Sequence, residues 1–219
     1  MAQFTGSGLS SFRGGRMAFR GLDFGVGGGE MLHLVGPNGS GKSTLLRVMA
    51  GLLPLAGGQL QWDGTDLAED RDGHRARLAY VGHADAVKGE LSVTENLQFW
   101  CAMAAHGSPN GGADEAAGLQ RFNLGKLADL PARFLSAGQR RRLNLARLAA
   151  IPATLWLLDE PAASLDSASV ATLEAEIKRH LEAGGCVVMA SHGRDPSDSM
   201  VLELSQYAGG GMDFEDAVP

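Results

Sequence analysis

The stretch GPNGSGKST, residues 36–44, decides the fold of this chain. It places Gly41, Lys42 and Ser43 after Gly36 and four intervening residues, which is the spacing of a phosphate-binding loop. Glycines let the backbone curl so that successive N–H groups face a phosphate, and the helix that follows adds the positive end of its dipole. Because the apolar run MLHLV precedes the loop and LLRVMAGL follows it, we expect a strand, the loop and then a helix.

Every position of this loop is a candidate contact to a nucleoside triphosphate, with Mg²⁺ as its cation. Lys42 is expected to reach the β- and γ-phosphates, and the Ser43 hydroxyl to ligate Mg²⁺. A glycine-rich turn ahead of an ordinary core helix is the alternative. The candidate binding residues are Gly36, Pro37, Asn38, Gly39, Ser40, Gly41, Lys42, Ser43 and Thr44.

A second motif, LWLLDEP, occupies residues 155–161. Its apolar residues predict a buried strand that delivers Asp159 and Glu160 at its carboxyl end, where α/β sheets place ligand sites. Asp159 is expected to hold Mg²⁺, directly or through water, and Glu160 to orient or deprotonate the attacking water. Alone, the motif also suits a strand that ends in a solvated turn. With a phosphate-binding loop upstream, it indicates nucleotide hydrolysis.

A third motif, LSAGQRRR, occupies residues 135–142 and leads into the apolar helix pattern LNLARLAA. Ser136 and the Gly138 backbone are predicted to lie at a helix N-terminus, which forms a second anion site. Two phosphate-facing sites far apart in one chain make sense if each completes the other across a dimer. The arginines at 140–142 point in different directions on a helix, so we expect a solvated face.

Together these motifs resemble those of the ATP-binding-cassette (ABC) ATPases, and the resemblance covers nearly the whole chain. It implies a head-to-tail dimer around two ATP molecules, in which the phosphate-binding loop of one subunit and the LSAGQ of the other enclose each γ-phosphate. It also implies that Asp166 bridges the subunits and that His192 contacts the γ-phosphate and positions Glu160. A solvated loop histidine is the alternative for His192. The signature residues concerned are Leu135, Ser136, Ala137, Gly138 and Gln139.

The family usually places an aromatic ring against adenine, ahead of the first glycine-rich turn. In this chain the corresponding region is SSFRGGR, so either Phe12 or Arg13 is a candidate to stack on the base, since a guanidinium plane also stacks. Phe12 is equally compatible with a place in the core. The sequence leaves the choice between these two residues open.

His83 narrows the resemblance to one branch of the family. It follows the apolar run LAYVG, residues 78–82, at the position where the family usually carries a glutamine. A neutral imidazole can still hold a water, so His83 is kept as a candidate catalytic residue. The stretch YVGHADAVKGELSVTENLQFW, residues 80–100, resembles the branch that serves cytochrome c maturation by haem export. That resemblance implies permease subunits as partners, at the cytoplasmic face of a bacterial inner membrane. A cassette ATPase of a different transporter is the alternative.

The resemblance also completes the predicted fold class. We expect a single α/β domain over residues 1–219, a P-loop NTPase of RecA-like type with a mostly parallel sheet and an antiparallel β edge. A nucleotide-binding core would take residues 1–82 and 151–219, and an inserted helical subdomain residues 83–150. A small-molecule P-loop kinase is disfavoured, because it would have no use for LSAGQ.

The composition limits the partners. The 219 residues carry a net charge of −6, which argues against nonspecific binding of nucleic acid. No run of 18 apolar residues occurs, so we expect membrane contact only through partner subunits. A regulatory or nucleic-acid-linked cassette protein is the remaining alternative; such proteins usually carry two cassettes or a coiled-coil insertion, and this chain has neither.

Overall fold

A computed structural model describes residues 3–105, 112–191 and 199–208. The described chain opens with a long antiparallel hairpin of β1 (Gln3–Arg13) and β2 (Arg16–Gly27). The hairpin turns at Gly14 and Gly15, whose φ angles of 59° and 80° lie in the left-handed region that glycine adopts without strain.

An antiparallel sheet grows from this hairpin, in the strand order β2-β1-β4-β5. The two added strands are β4 (Gly57–Trp62) and β5 (Thr65–Asp66). This sheet is the antiparallel β edge that the fold class includes.

The second sheet is parallel throughout and has five strands, in the order β6-β7-β8-β3-β9. Parallel strands that are covered on both faces carry continuous apolar runs, as LWLLD and CVVMA do. The strands are β3 (Met31–Val35), β6 (Leu78–Val81), β7 (Leu155–Asp159), β8 (Cys186–Ala190) and β9 (Met200–Glu203).

Six α-helices connect and cover the strands within the described residues. They are α1 (Lys42–Met49), α2 (Arg71–Arg77), α3 (Val93–Ala105), α4 (Glu115–Arg121), α5 (Ala137–Ala150) and α6 (Ser167–Glu182). Short 3-10 turns occur at Gly125–Leu127, Ala132–Phe134 and Leu204–Tyr207. None of the helices in that part of the chain has both the length and the apolarity that crossing a bilayer requires.

The parallel sheet separates two apolar clusters, because alternate residues of its strands point to opposite faces. Leu155 and Leu157 of β7 pack with α1 and the antiparallel sheet, whereas Trp156 and Leu158 pack on the other face with α3, α5 and α6. The α/β class with a parallel and an antiparallel sheet is therefore confirmed. The division into a core and a helical subdomain at residues 83–150 stays a prediction.

Candidate nucleotide-binding and hydrolysis site

The loop between β3 and α1 has the backbone that its glycines predict. Gly36, Gly39 and Gly41 have φ angles of 139°, 83° and 102°, all in the region where a side chain causes strain. A Cβ at Gly36 would lie 2.7 Å from the Ser40 hydroxyl. No side chain caps α1 at its N-cap Gly41. The loop therefore presents the positive end of α1 to an anion.

The Lys42 side chain folds back onto the glycine-rich loop. Its ammonium donates hydrogen bonds to the carbonyl oxygens of Gly36, at 2.6 Å, and Pro37, at 3.1 Å. Because the side chain is buried, the charge is directed at the loop rather than out into solvent. This places the cation beside the position that the sequence predicts for the phosphates.

Ser43 and Asp159 meet at the base of the same loop, where the Ser43 hydroxyl donates a 3.0 Å hydrogen bond to Oδ1 of Asp159. Oδ2 of Asp159 is buried and accepts no hydrogen bond from any described residue. A buried carboxylate oxygen without a partner is unfavourable unless a cation or a water completes it. A hydroxyl and a carboxylate are oxygen ligands of the kind that Mg²⁺ prefers, so the residues present fit that ion.

Glu160 follows directly at the end of β7, with a φ of 48° that is uncommon for a residue other than glycine. Its N–H donates a 2.8 Å hydrogen bond to the carbonyl of Ala190, the last residue of β8. Strained backbone of this type clusters at functional sites. The turn brings Glu160 to the wall of the same cleft that Lys42 and Ser43 line.

That cleft has a volume of about 660 Å³. Arg13 lines it and donates a 3.4 Å hydrogen bond to the Thr44 hydroxyl, whereas Phe12 is half-buried and does not line it. Of the two candidates for the base, the cleft thus contains Arg13. Arg16 also lines the cleft and was missed; its signal is the Gly-Gly turn, which pairs it with Arg13 across the hairpin. The lining comprises Arg13, Gly14, Arg16, Met17, Ala18, Asn38, Gly39, Gly41, Lys42, Ser43, Thr44 and Glu160.

The signature residues lie elsewhere, at the start of α5. Ser136 is the N-cap: its hydroxyl accepts from the Gln139 N–H at 3.2 Å, while the Gln139 side chain accepts from the Ser136 N–H at 2.9 Å. Leu135 is buried, and Ala137 is exposed. No residue from 135 to 139 is among those lining the cleft of its own chain, within the part that the structure describes. Their part in a partner's site stays a prediction.

Gly138 brings the signature helix against the loop before α6. A Cβ added at Gly138 would lie 3.0 Å from the carbonyl oxygen of Ser164, a residue with a φ of 64°. Asp166 then caps α6 by accepting a 2.8 Å hydrogen bond from the Ser169 N–H. Hydrogen bonding to Ser169 lowers the pKa of Asp166, which keeps this exposed carboxylate charged. Whether Asp166 bridges two subunits stays a prediction.

Of the two candidate catalytic histidines, the structure describes only His83. His83 is exposed in the loop after β6 and is not among the residues that line the cleft. His192 lies outside the described residues. Its neighbour Ser191 follows directly after β8 and places its hydroxyl 2.7 Å from Nε2 of the buried His33. The catalytic roles of both histidines stay predictions.

The solvated face expected of the three arginines at 140–142 is wrong for the middle one. Arg141 is 2% exposed, and it lies on the same face of α5 as the buried Leu145 and Leu148, four and seven residues later. That spacing is the signal that was missed. Its guanidinium donates to Gly82 O, Asp85 Oδ1, Asp159 O, Glu160 O and Pro161 O.

The chain is similar in sequence to known proteins. The model of the family described as ABC transporter matches residues 19–163. A cytochrome c biogenesis ATP-binding export protein, CcmA, of Paramagnetospirillum magneticum is 50% identical over 206 residues, covering 94% of this chain and 95% of the relative. The protein of the same name from Rhodospirillum rubrum is 51% identical over 191 residues, which is 87% of this chain and 80% of that one.

Solved structures match the fold at lower sequence identity. The ADP conformation of an ATP-binding cassette of an ABC transporter superposes with a TM-score of 0.69 at 21% identity, over 89% of this chain and 83% of the other. A structure from Pyrococcus furiosus, assigned as the ATP-binding protein of an ABC transporter, superposes with a TM-score of 0.78 at 19% identity, over 94% and 99%. These two structures support the fold alone.

Proposed function

The chain belongs to the ABC transporter family, and on that premise we propose that it hydrolyses ATP as a head-to-tail dimer that powers a membrane complex handling haem for c-type cytochrome assembly. One structural observation supports the proposal that the chain hydrolyses ATP. Lys42, Ser43 and Glu160 come from two distant motifs and line one cleft, and Asp159 accepts a hydrogen bond from Ser43 at its base. The relatives named for cytochrome c biogenesis support the cellular process, since they match over nearly the full chain.

The residues from the two motifs have distinct roles in the proposed reaction. The open N-terminus of α1 and the Lys42 ammonium hold the phosphates of ATP. Ser43 and Asp159 would hold Mg²⁺, which would supply positive charge against the phosphates. Glu160 orients the attacking water and takes its proton as the water oxygen bonds to the γ-phosphorus. The bond from that phosphorus to the bridging oxygen breaks, which leaves ADP and phosphate. His192 would assist Glu160 at the γ-phosphate.

The second subunit supplies what the cleft of one chain lacks. Ser136 and Gly138 lie at an exposed helix N-terminus and line no part of their own cleft, so they are free to close the cleft of a partner. Arg13 is placed to stack on adenine, because it lies on the cleft wall beside Thr44. Asp166, next to the signature helix, would lie at the subunit boundary.

An exposed apolar surface is available for a membrane partner. Phe99 and Met103 lie four residues apart on α3 and are 37% and 56% exposed, and Phe134 is 63% exposed. Singly exposed apolar residues need no explanation, but a stripe on one helix face suits a protein contact. The Lys88 ammonium lies 4.7 Å from the centroid of the Phe99 ring, which joins the loop after β6 to this surface. We assign it to the permease subunits.

The dimer is tested with Glu160→Gln, because a site that binds ATP without hydrolysing it accumulates the ATP-bound state. Molar mass is measured by light scattering after size exclusion, with Mg²⁺ and either ATP or ADP. We expect a dimer with ATP and a monomer with ADP. Glu174→Gln, on the exposed face of α6, is the matched control and should stay monomeric during turnover. A Glu160→Gln variant that binds ATP yet stays monomeric contradicts the proposed head-to-tail dimer.

The process is tested by purifying the chain with its native membrane partners and recording the absorbance spectrum of the complex. We expect a haem Soret band, together with loss of c-type cytochromes in a strain that lacks the gene. Partners without haem and normal c-type cytochromes would assign the chain to a different transporter.

A further inference from the structure

Arg141 uses its full hydrogen-bonding capacity inside the protein. A guanidinium has five N–H donors, and Arg141 makes five hydrogen bonds. Three of them reach consecutive carbonyl oxygens at the end of β7: Asp159 at 3.1 Å, Glu160 at 2.7 Å and Pro161 at 3.1 Å. The side chain therefore grips the backbone that presents the proposed metal ligand and the proposed base.

These hydrogen bonds matter because Glu160 has a disfavoured backbone conformation. At a φ of 48°, a residue with a side chain needs its surroundings to hold it in place. Its N–H is held by the carbonyl of Ala190 in β8, and its carbonyl is held by Arg141. The Ala163 N–H also donates to the Glu160 carbonyl, at 3.2 Å, but this bond lies within the turn itself, whereas the Arg141 bond ties the turn to α5.

The other arm of Arg141 reaches the loop that carries His83. Nη1 donates to the carbonyl of Gly82 at 3.0 Å and to Oδ1 of Asp85 at 3.1 Å. Asn144, one turn further along α5, donates to the same Asp85 oxygen at 3.2 Å. One side chain thus joins the end of β7, the loop after β6 and the signature helix α5.

We propose that Arg141 is a positioning residue for hydrolysis, one that sets the Glu160 main chain and links it to the loop at residues 82–85 and to the signature helix. The inference rests on the proposed ATPase function. Arg141 does not line the cleft, so its effect passes through Glu160 and not through contact with the nucleotide. A shift of the loop after β6, on which a membrane partner would act, then moves the hydrolytic residue through a chain of hydrogen bonds.

A matched control lies on the same helix. Arg147 is also buried, at 7% exposed, donates to the carbonyls of Tyr80 and Asn144, and packs its guanidinium 4.2 Å from the centroid of the Trp100 ring. The hydrogen bonds described for Arg147 reach neither residues 159–161 nor residues 82–85, and it interacts with Asp85 only through the charge of that carboxylate. Removing either arginine disturbs a buried, hydrogen-bonded charge, but only Arg141 holds the turn at Glu160.

The test compares Arg141→Lys and Arg141→Gln with Arg147→Gln in the full chain. Urea unfolding gives stability, fluorescence titration with an ATP analogue gives affinity, and steady-state assays give kcat and KM. We expect the Arg141 variants to lose about tenfold or more in kcat, since displacing a catalytic group by a fraction of an ångström has effects of this size. KM should change by about twofold or less, because the phosphate-binding loop is untouched. Arg147→Gln should lose stability to a similar extent but keep kcat within about threefold.

Asp85→Asn keeps the inference testable if the Arg141 variants fail to fold. It weakens only the loop arm, so kcat should fall by about threefold, and its effect should not add to that of Arg141→Lys. A wild-type chain that does not hydrolyse ATP overturns the proposed function itself. If the wild type is active, an unchanged kcat in a folded Arg141→Lys or Asp85→Asn variant, or an equal loss of kcat in Arg147→Gln, overturns the role of Arg141.

Discussion

The hydroxyl of Ser43 lies 3.0 Å from Oδ1 of Asp159, although 116 positions separate the two residues in the chain. Ser43 comes from the start of α1 and Asp159 from the end of β7, so the contact exists only because β7 and β3 lie in the same parallel sheet. Carboxyl ends of parallel strands collect at one edge, where such sheets place their ligand sites. Several consequences of this arrangement can be measured.

Asp159→Asn should abolish most of the Mg²⁺-dependent ATP hydrolysis. Because the amide keeps the hydrogen bond from Ser43 but removes the charge that would face Mg²⁺, we expect a loss of about 3 kcal/mol in the transition state, or roughly a hundredfold in kcat. Isothermal titration with Mg²⁺ and ATP measures the accompanying loss of metal affinity. Asp129→Asn, on an exposed turn, is the control. A variant at Asp159 with wild-type Mg²⁺ dependence would remove this residue from the metal site.

Arg13→Gln should weaken ATP binding, because Arg13 lies on the wall of the cleft and is the residue placed to stack on the base. We expect a loss of about 1 kcal/mol, roughly fivefold in Kd. Arg13→Tyr should restore affinity, since an aromatic ring stacks without the charge. Arg16→Gln, which removes a second positive charge from the cleft wall, measures how much of the affinity loss comes from charge alone. If a folded Phe12→Ala variant loses more affinity for ATP than Arg13→Gln does, then Phe12 and not Arg13 stacks on the adenine base.

Gly138→Ala should impair hydrolysis while ATP binding to the monomer is retained. The added Cβ would lie 3.0 Å from Ser164 O, so the loop before α6 must move by a few tenths of an ångström. We expect roughly a tenfold drop in kcat, because the start of the signature helix and this loop shift together. Gly125→Ala is the matched control, because its added Cβ meets no atom within 4 Å. Equal activities for the two variants would show that this contact has room to relax.

His74 should make the fold sensitive to acid. Its Nδ1 accepts from the Trp62 indole at 3.0 Å, and its Nε2 lies 2.8 Å from the Met49 carbonyl, so the buried ring is neutral. The pKa of His74 is lowered from 6.5 to about 4, mainly by burial and in smaller part by the charges of Arg77 and Arg75, whereas the hydrogen bond to the Met49 carbonyl opposes the shift. The unfolded chain therefore takes up the proton first. Stability is complete above pH 6.5 and falls as the pH drops towards 4.

The size of that loss follows from the shift in the pKa of His74, at about 3 kcal/mol by pH 4. Urea unfolding at pH 7, 5.5 and 4.5 measures it. His74→Gln removes the titrating group, so this variant should be less stable at pH 7 but should lose less stability between pH 7 and 4.5. The same pH dependence in wild type and variant would assign the effect to other groups.

Local patterns in the sequence predicted most of the elements and the cleft residues in advance. The runs MLHLV, LWLLD and CVVMA form β3, β7 and β8, and the helix after the glycine-rich loop begins at Lys42. These features are local, since strand and helix periodicity and glycine backbone requirements act within a few residues. Asp159 and Glu160 were predicted at a sheet edge for the same reason.

The failures concern side chains whose environment comes from distant parts of the chain. Whether a charged residue is solvated or buried depends on what packs over its helix face, so the arginine run alone did not separate Arg141 from its neighbours. Likewise, the hairpin sequence did not distinguish Phe12 from Arg13, because both lie within two residues of the Gly-Gly turn. Only the packing of the hairpin beside α1 placed Arg13 at the cleft.

The sequence by itself therefore determined the phosphate-binding loop, the acidic pair at the end of β7 and the family, because each depends on residue types at fixed local spacings. The tertiary structure alone decided that Arg141 joins β7, the loop after β6 and α5. The physical reason is that burying a guanidinium is unfavourable unless its donors find acceptors, and the five acceptors of Arg141 come together only when the sheet and the helix have packed.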